Sequence, residues 1–206
     1  MPAREPRSPV GRLVRWGARR LVERASRALD RRSPVAALSY LDRAEAWWPG
    51  EEPAQELRVK AHRDAAAVRR EQLGSAPHDV ELRLAAAEDL LEIGEAREAL
   101  RVLEPAREHI LSIDANRLGW RTEEALLRGR ALLAANDPEP ACEALELARE
   151  LWPVEVEPAY YLGVASARCG RRAAARRQLV AACTMDGGLA QARLDEYRVA
   201  TGGSQG

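Results

Sequence analysis

Three stretches of this chain superpose on one another without a gap, and this internal repeat limits the fold more than any other feature. They are VELRLAAAEDLLEIGEAREALRVLEPA (80–106), TEEALLRGRALLAANDPEPACEALELA (122–148) and VEPAYYLGVASARCGRRAAARRQLVAA (156–182). In this register Ala87 aligns with Gly129 and Gly163, Gly94 with Asn136 and Gly170, Ala99 with Ala141 and Ala175, and Leu103 with Leu145 and Leu179. The second and third stretches are 34 residues apart and the first two 42, the extra eight falling around SIDANRLGW (112–120). Each aligned set has a physical reason. A small residue inside the first helix of a pair lets the second cross it closely, and the Ala99 series receives that contact. Gly or Asn between the helices permits the left-handed backbone that ends the first. The leucine series is expected to fill the space between neighbouring pairs. Such a pair cannot bury its apolar face alone, so it stacks into an array.

Composition agrees with helices. Phe is absent and only five Trp and four Tyr occur, so Ala, Leu and Val must fill the interior, which favours closely approaching helices over a sheet. Apolar positions Val10, Leu13, Val14, Gly17, Leu21, Ala25, Ala28 and Leu29 recur at helical spacing, with Arg12, Arg15, Arg19, Glu23 and Arg27 opposite. Ser33-Pro34 reads as a cap and first-turn proline of a helix that stops near Trp48 before Pro49-Gly50. Further helices are predicted at 53–74, 79–93, 95–110, 121–135, 138–151, 156–169, 171–184 and 188–199. No period-two pattern competes, so the class is all-α. Between Pro49 and Asp79 the repeat register fails, leaving either one long helix or a shortened pair.

These residues resemble the tetratricopeptide repeat, a helix-turn-helix unit of the same 34-residue period. In the third stretch Ala159, Leu162, Gly163 and Ser166 stand at the family's Trp, Leu, Gly and Tyr sites, followed by Ala175 and Leu179. In the second, Ala125, Arg128, Gly129 and Leu132 take the first group, and Ala141, Leu145 and Pro153 complete it. A weaker unit uses Leu21, Ala25 and Ala28, then Ala37, Leu41 and Pro49. The family's large aromatics are missing at nearly all these sites, marking a divergent member. The resemblance implies antiparallel helix pairs stacked as a short right-handed α-solenoid in one domain over 10–200. Within it, clear repeats would lie at about 80–111, 122–155 and 156–187, degenerate ones at 10–78 and a capping helix at 188–199. Residues 1–9 and 201–206 are expected to be disordered.

In this family partners commonly lie in the concave groove lined by the first helix of each pair. Carried over position by position, that groove would present Glu81, Leu84, Ala85 and Glu88, then Glu123, Leu126, Leu127 and Arg130, then Glu157, Tyr160, Tyr161, Val164 and Arg168. Apolar groups with a few charges suit an extended peptide or an amphipathic helix, with the tyrosines as the sharpest anchors. The carboxylate clamp of some relatives is excluded, because Glu88 and Val164 stand where Asn is needed and no Lys is offered.

Catalytic constellations are missing. His62, His78 and His109 are isolated, no phosphate loop or nucleophile elbow occurs, and Gly187-Gly188-Leu189 reads as a turn. Glu143, Glu146 and Glu150 sit at helical spacing on a solvated face. Cys142, Cys169 and Cys183 form no CxxC pair and read as reduced, mostly buried small side chains. No enzyme, cofactor or metal is therefore expected.

The net charge is zero, which removes the global case for a nucleic-acid binder, yet the charge is unevenly placed. Residues 1–33 hold ten Arg against three acids, residues 165–206 seven against three, and 34–164 carry 26 acids against 15 bases. The basic surfaces are Arg12, Arg15, Arg19 and Arg27 on the first helix and Arg171, Arg172, Arg176 and Arg177 on the last repeat. Trp47-Trp48 are read as closing the first pair's core. The sequence thus points to a non-enzymatic adaptor binding another protein. The alternatives are an electrostatic module that sets the Arg-rich helix on an anionic membrane or nucleic acid, and a self-assembling scaffold or secretion-type chaperone. With 31 Arg to one Lys, the composition resembles that of a GC-rich bacterial genome; no apolar run approaches a membrane span, and a cytoplasmic location is expected.

Overall fold

The structure, a computed structural model, describes residues 9–49, 52–112 and 118–185. Among the described residues the secondary structure is nine α-helices without a strand. They are α1 (Pro9–Asp30), α2 (Pro34–Trp47), α3 (Glu52–Ser75), α4 (Val80–Glu92), α5 (Ala96–Ser112), α6 (Leu118–Ala134), α7 (Pro138–Leu151), α8 (Val156–Arg168) and α9 (Arg172–Met185). The helix predicted at 188–199, the tail and the leader up to residue 8 lie outside the described residues, while Pro9 opens α1. The chain divides into two compact units, Met1–Ser75 and Ala76–Gly206, with the break in the Pro77 stretch.

The turns inside the pairs follow one design. Gly94, Asn136 and Gly170 have φ of 81°, 64° and 73°, the left-handed backbone that the alignment predicts for them. After each, two backbone N–H groups return to the helix just ended. Gly94 and Glu95 donate to the Leu91 and Leu90 carbonyls at 3.0 and 2.8 Å, Asn136 and Asp137 to Leu133 and Leu132 at 3.1 and 2.9 Å, and Gly170 and Arg171 to Ala167 and Ser166 at 3.0 and 2.8 Å. This is the Schellman pattern, which satisfies carbonyls that the helix end would leave bare. The first pair repeats it with an unexpected residue: Arg32 has φ 55°, and Arg32 and Ser33 donate to Leu29 and Ala28, each at 2.9 Å. Ser33 therefore closes the turn through its backbone, and its side chain makes no cap bond.

In the Met1–Ser75 unit α1 and α2 pair and α3 packs on both; in the other unit the pairs are α4–α5, α6–α7 and α8–α9. Residues 52–75 form one long helix, because no left-handed turn residue interrupts the helix formers before Gly74. Helix α6 touches both α4 and α8, while α5 and α7 each touch the first helix of the following pair. The first helices of the three pairs thus lie side by side.

The aligned small residues are where the helices cross, and the leucines do more than the sequence suggests. A Cβ added at Gly129 would sit 2.6 Å from Leu145 Cδ2, and one added at Gly163 would sit 2.6 Å from Leu179 Cγ. Each leucine therefore packs onto the glycine of its own pair. Leu145 also joins Ala125, Leu126, Ala141, Cys142, Leu162 and Ala165 in a core shared with the next pair. Gly129→Ala is expected to cost about 1–3 kcal/mol by overpacking. Adding Leu145→Val should recover part of that loss, a coupling that urea denaturation of the four species measures.

Candidate functional site

Helices α4, α6 and α8 carry every residue of the predicted groove, and their packing sorts those residues. Leu84, Leu126, Leu127 and Tyr160 are buried. Each first helix lies between its own second helix and neighbouring first helices, so only a narrow strip remains open. Leu126 belongs to the core around Leu145, and Tyr160 packs with Ala159, Leu179 and Ala182. These leucines are thus part of the packing of the array. Glu81, Glu88, Glu123 and Arg168 are exposed, while Ala85, Arg130, Glu157, Tyr161 and Val164 are half-buried.

Five predicted groove residues meet at one open cavity of about 340 Å³. Arg130 and Leu133 of α6 and Tyr160, Tyr161, Val164 and Arg168 of α8 line it. The two tyrosine rings meet edge to face with centroids 5.2 Å apart, so the buried Tyr160 props Tyr161 towards the opening. The Arg130 guanidinium stands 5.4 Å from the Tyr161 ring centroid and donates to Glu92 Oε1 at 2.9 Å. Arg168 Nη1 donates to the Leu133 carbonyl at 2.6 Å, placing a cation on the C-terminal turn of α6, where the helix dipole favours it. Burial of Arg130 opposes its charge, but Tyr161, Glu92 and Glu157 outweigh that effect and hold its pKa above the usual value. It remains a cation across the accessible pH range.

Beside the cavity the surface is acidic. Partial desolvation, followed by repulsion from Glu88 and Glu81, raises the Glu123 carboxyl above its ordinary 4.5. A carboxylate with a raised folded-state pKa weakens the fold once it ionises. That penalty is fully present above the folded pKa and vanishes as pH falls below the unfolded value. Glu123→Gln is therefore expected to stabilise the protein at neutral pH and to be neutral below about pH 4.5, as urea midpoints at the two pH values would report.

Two features were missed from sequence. Glu92 lies one turn after Glu88 on the same face, so i+4 spacing could have found it. Leu133 enters through its backbone carbonyl, which carries no side-chain signal. On the basic surfaces, Arg19 and Arg27 are exposed and Arg15 is half-buried, 6.0 Å from the Trp48 ring centroid. The side chain of Arg12 lies outside the described residues. Arg171, Arg172, Arg176 and Arg177 are exposed around the start of α9. Cys142 is buried and Cys169 and Cys183 are half-buried. Cys142 Sγ stands 3.8 Å from Cys169 Sγ, and burial pushes its thiol up to about 11, so it stays protonated near neutrality.

Solved structures share this arrangement. The chain is similar to residues 41 to the end of MamA from Desulfovibrio magneticus RS-1, at 21% identity and a TM-score of 0.53, covering 84% of this chain and 96% of that one. It is also similar to YrrB, a TPR protein with an unusual peptide-binding site, at 18% identity and a TM-score of 0.54, covering 85% and 90%. No family model and no curated protein matches the chain. The fold is that of the tetratricopeptide-repeat solenoids.

Proposed function

We propose that this protein is a non-catalytic adaptor that binds a peptide or helical segment of another protein along α4, α6 and α8, with Tyr161 as the central anchor. The observation that carries this reading is the convergence of Arg130, Tyr160, Tyr161, Val164 and Arg168 on one open cavity. An amphipathic aromatic ring beside one guanidinium group, in an open cavity that a second guanidinium and apolar side chains also line, is the composition of a binding hot spot. YrrB, of the same fold, has a peptide-binding site, which supports the reading. The Arg-for-Lys composition and the lack, among the described residues, of a helix long and apolar enough to cross a membrane support a bacterial, cytoplasmic setting.

The test is selection of binders from a displayed random-peptide library, followed by affinity measurement on Tyr161→Ala and Arg168→Glu variants whose melting is checked in parallel. Each variant is expected to weaken the selected peptides at least about tenfold. Unchanged affinity in folded variants overturns the assignment. Leu126 is unsuited to this test, since removing a core side chain unfolds as readily as it unbinds.

A further inference from the structure

The first two turns of α1 carry large apolar side chains that are left exposed. Ala18, Leu21, Ala25, Ala28 and Leu29 form the buried stripe of this helix. Val10, Leu13 and Trp16, by contrast, are 71%, 66% and 54% exposed. They recur every third residue and so wind along one side of the helix. Trp47 of α2 lies against α1 beside them: its Cε3 would be 2.8 Å from a Cβ on Gly17, yet 54% of the residue remains exposed. The expectation that Trp47 only closes the first pair's core is thus half met. It seals the helix crossing with one face and leaves the other open. Single exposed apolar residues need no explanation, but two tryptophans, a leucine and a valine together form a patch.

Along the first turns of α1 the charges are of one sign, whereas Asp42 and Glu45 precede Trp47 on α2. From Pro9 to Val22 the chain has Arg12, Arg15, Arg19 and Arg20 and no acidic residue. The Arg20 guanidinium stands 4.4 Å from the Trp16 ring centroid, joining cation and aromatic into one surface. Nucleic-acid phosphates would attract the arginines but leave Val10 and Leu13 in water. The boundary between headgroups and acyl chains takes both kinds of group: tryptophan settles there, aliphatic side chains enter the acyl layer, and guanidinium groups reach back to lipid phosphates. Among the described residues no helix is long and apolar enough to span a bilayer, so the geometry suits a helix lying in the plane.

We propose that the α1 face bearing Val10, Leu13 and Trp16, with Trp47 beside it, docks on an anionic lipid surface. Zero net charge for the whole chain does not oppose this, because lipid charge acts only within about a Debye length, roughly 10 Å, of the patch. The interaction is independent of the peptide site, whose residues all belong to the Ala76–Gly206 unit.

The test is co-sedimentation of the full chain with phosphatidylcholine vesicles, with and without one-third phosphatidylglycerol, alongside a duplex-DNA binding assay. The chain should sediment with the anionic vesicles only, and less so as salt rises. Leu13→Ser/Trp16→Ser, both at exposed positions, should lower vesicle affinity at least about tenfold without changing helicity by circular dichroism. Arg19→Glu/Arg20→Glu should do the same. Failure to sediment with anionic vesicles overturns the proposal. So does undiminished sedimentation of the folded Leu13→Ser/Trp16→Ser variant, since the apolar patch would then be idle. Tighter binding to DNA than to vesicles also overturns it, assigning the arginines to nucleic acid.

Discussion

Ala141→Glu is expected to unfold the Ala76–Gly206 unit or to lower its melting temperature by roughly 10–20 °C, the shift that about 3 kcal/mol produces in a domain of this size. Ala141 is wholly buried, in a core shared with Leu145 and Cys142 of its own helix and with Leu126 and Leu162 of the flanking first helices. A glutamate there must enter a core of apolar side chains, so overpacking and charge desolvation add. Glu143→Ala, two residues away on the exposed face, should change stability by no more than about 0.5 kcal/mol. Thermal melting followed by circular dichroism distinguishes the two. A soluble Ala141→Glu protein with wild-type melting would refute the repeat register.

The second large effect concerns a buried ion pair. Arg128 Nη2 approaches Glu124 Oε1 at 2.7 Å and Oε2 at 3.0 Å, and the Glu124 side chain is almost wholly enclosed. Burial raises the Glu124 carboxyl pKa, and Arg128 partly offsets the rise. Arg128→Leu strands that carboxylate and is expected to cost about 3–5 kcal/mol at neutral pH. The loss should shrink as the pH falls and Glu124 binds a proton. Glu124→Leu/Arg128→Leu should regain most of the stability, because the aligned positions of the other repeats are Leu82 and Pro158 for the first residue and Ala86 and Leu162 for the second. Urea midpoints of the single and double variants give the answer. A single variant as stable as wild type would mean that the pair is solvated.

How far the sequence could be read depended on whether a position answers to local backbone chemistry or to tertiary packing. The left-handed residues Gly94, Asn136 and Gly170 were legible because few residue types tolerate that backbone, so they announce themselves. Arg32 was not, since its side chain disguises the same turn, although Ala37 and Leu41 stand at the correct offsets after it. The helix 52–75 could not be separated from a shortened pair, because a missing turn residue is weaker evidence than a present one. At the site, the register that the resemblance supplies names positions on α4, α6 and α8 but not how far neighbouring helices cover them, so the buried Leu84, Leu126 and Leu127 cannot be told from the half-buried Arg130 and Tyr161. Burial across a row of helices is a tertiary property that no single helix's pattern records.

A partner segment is proposed to lie across α4, α6 and α8 with Tyr161 at its centre. Nuclear magnetic resonance of isotope-labelled protein, titrated with a selected peptide, tests this most directly. The largest shift changes are expected at Tyr161, Val164, Arg130 and Arg168, with smaller ones at Glu88 and Glu123 and little change on the outer faces of α5, α7 and α9. Changes concentrated on those second helices, or on α1, would contradict it.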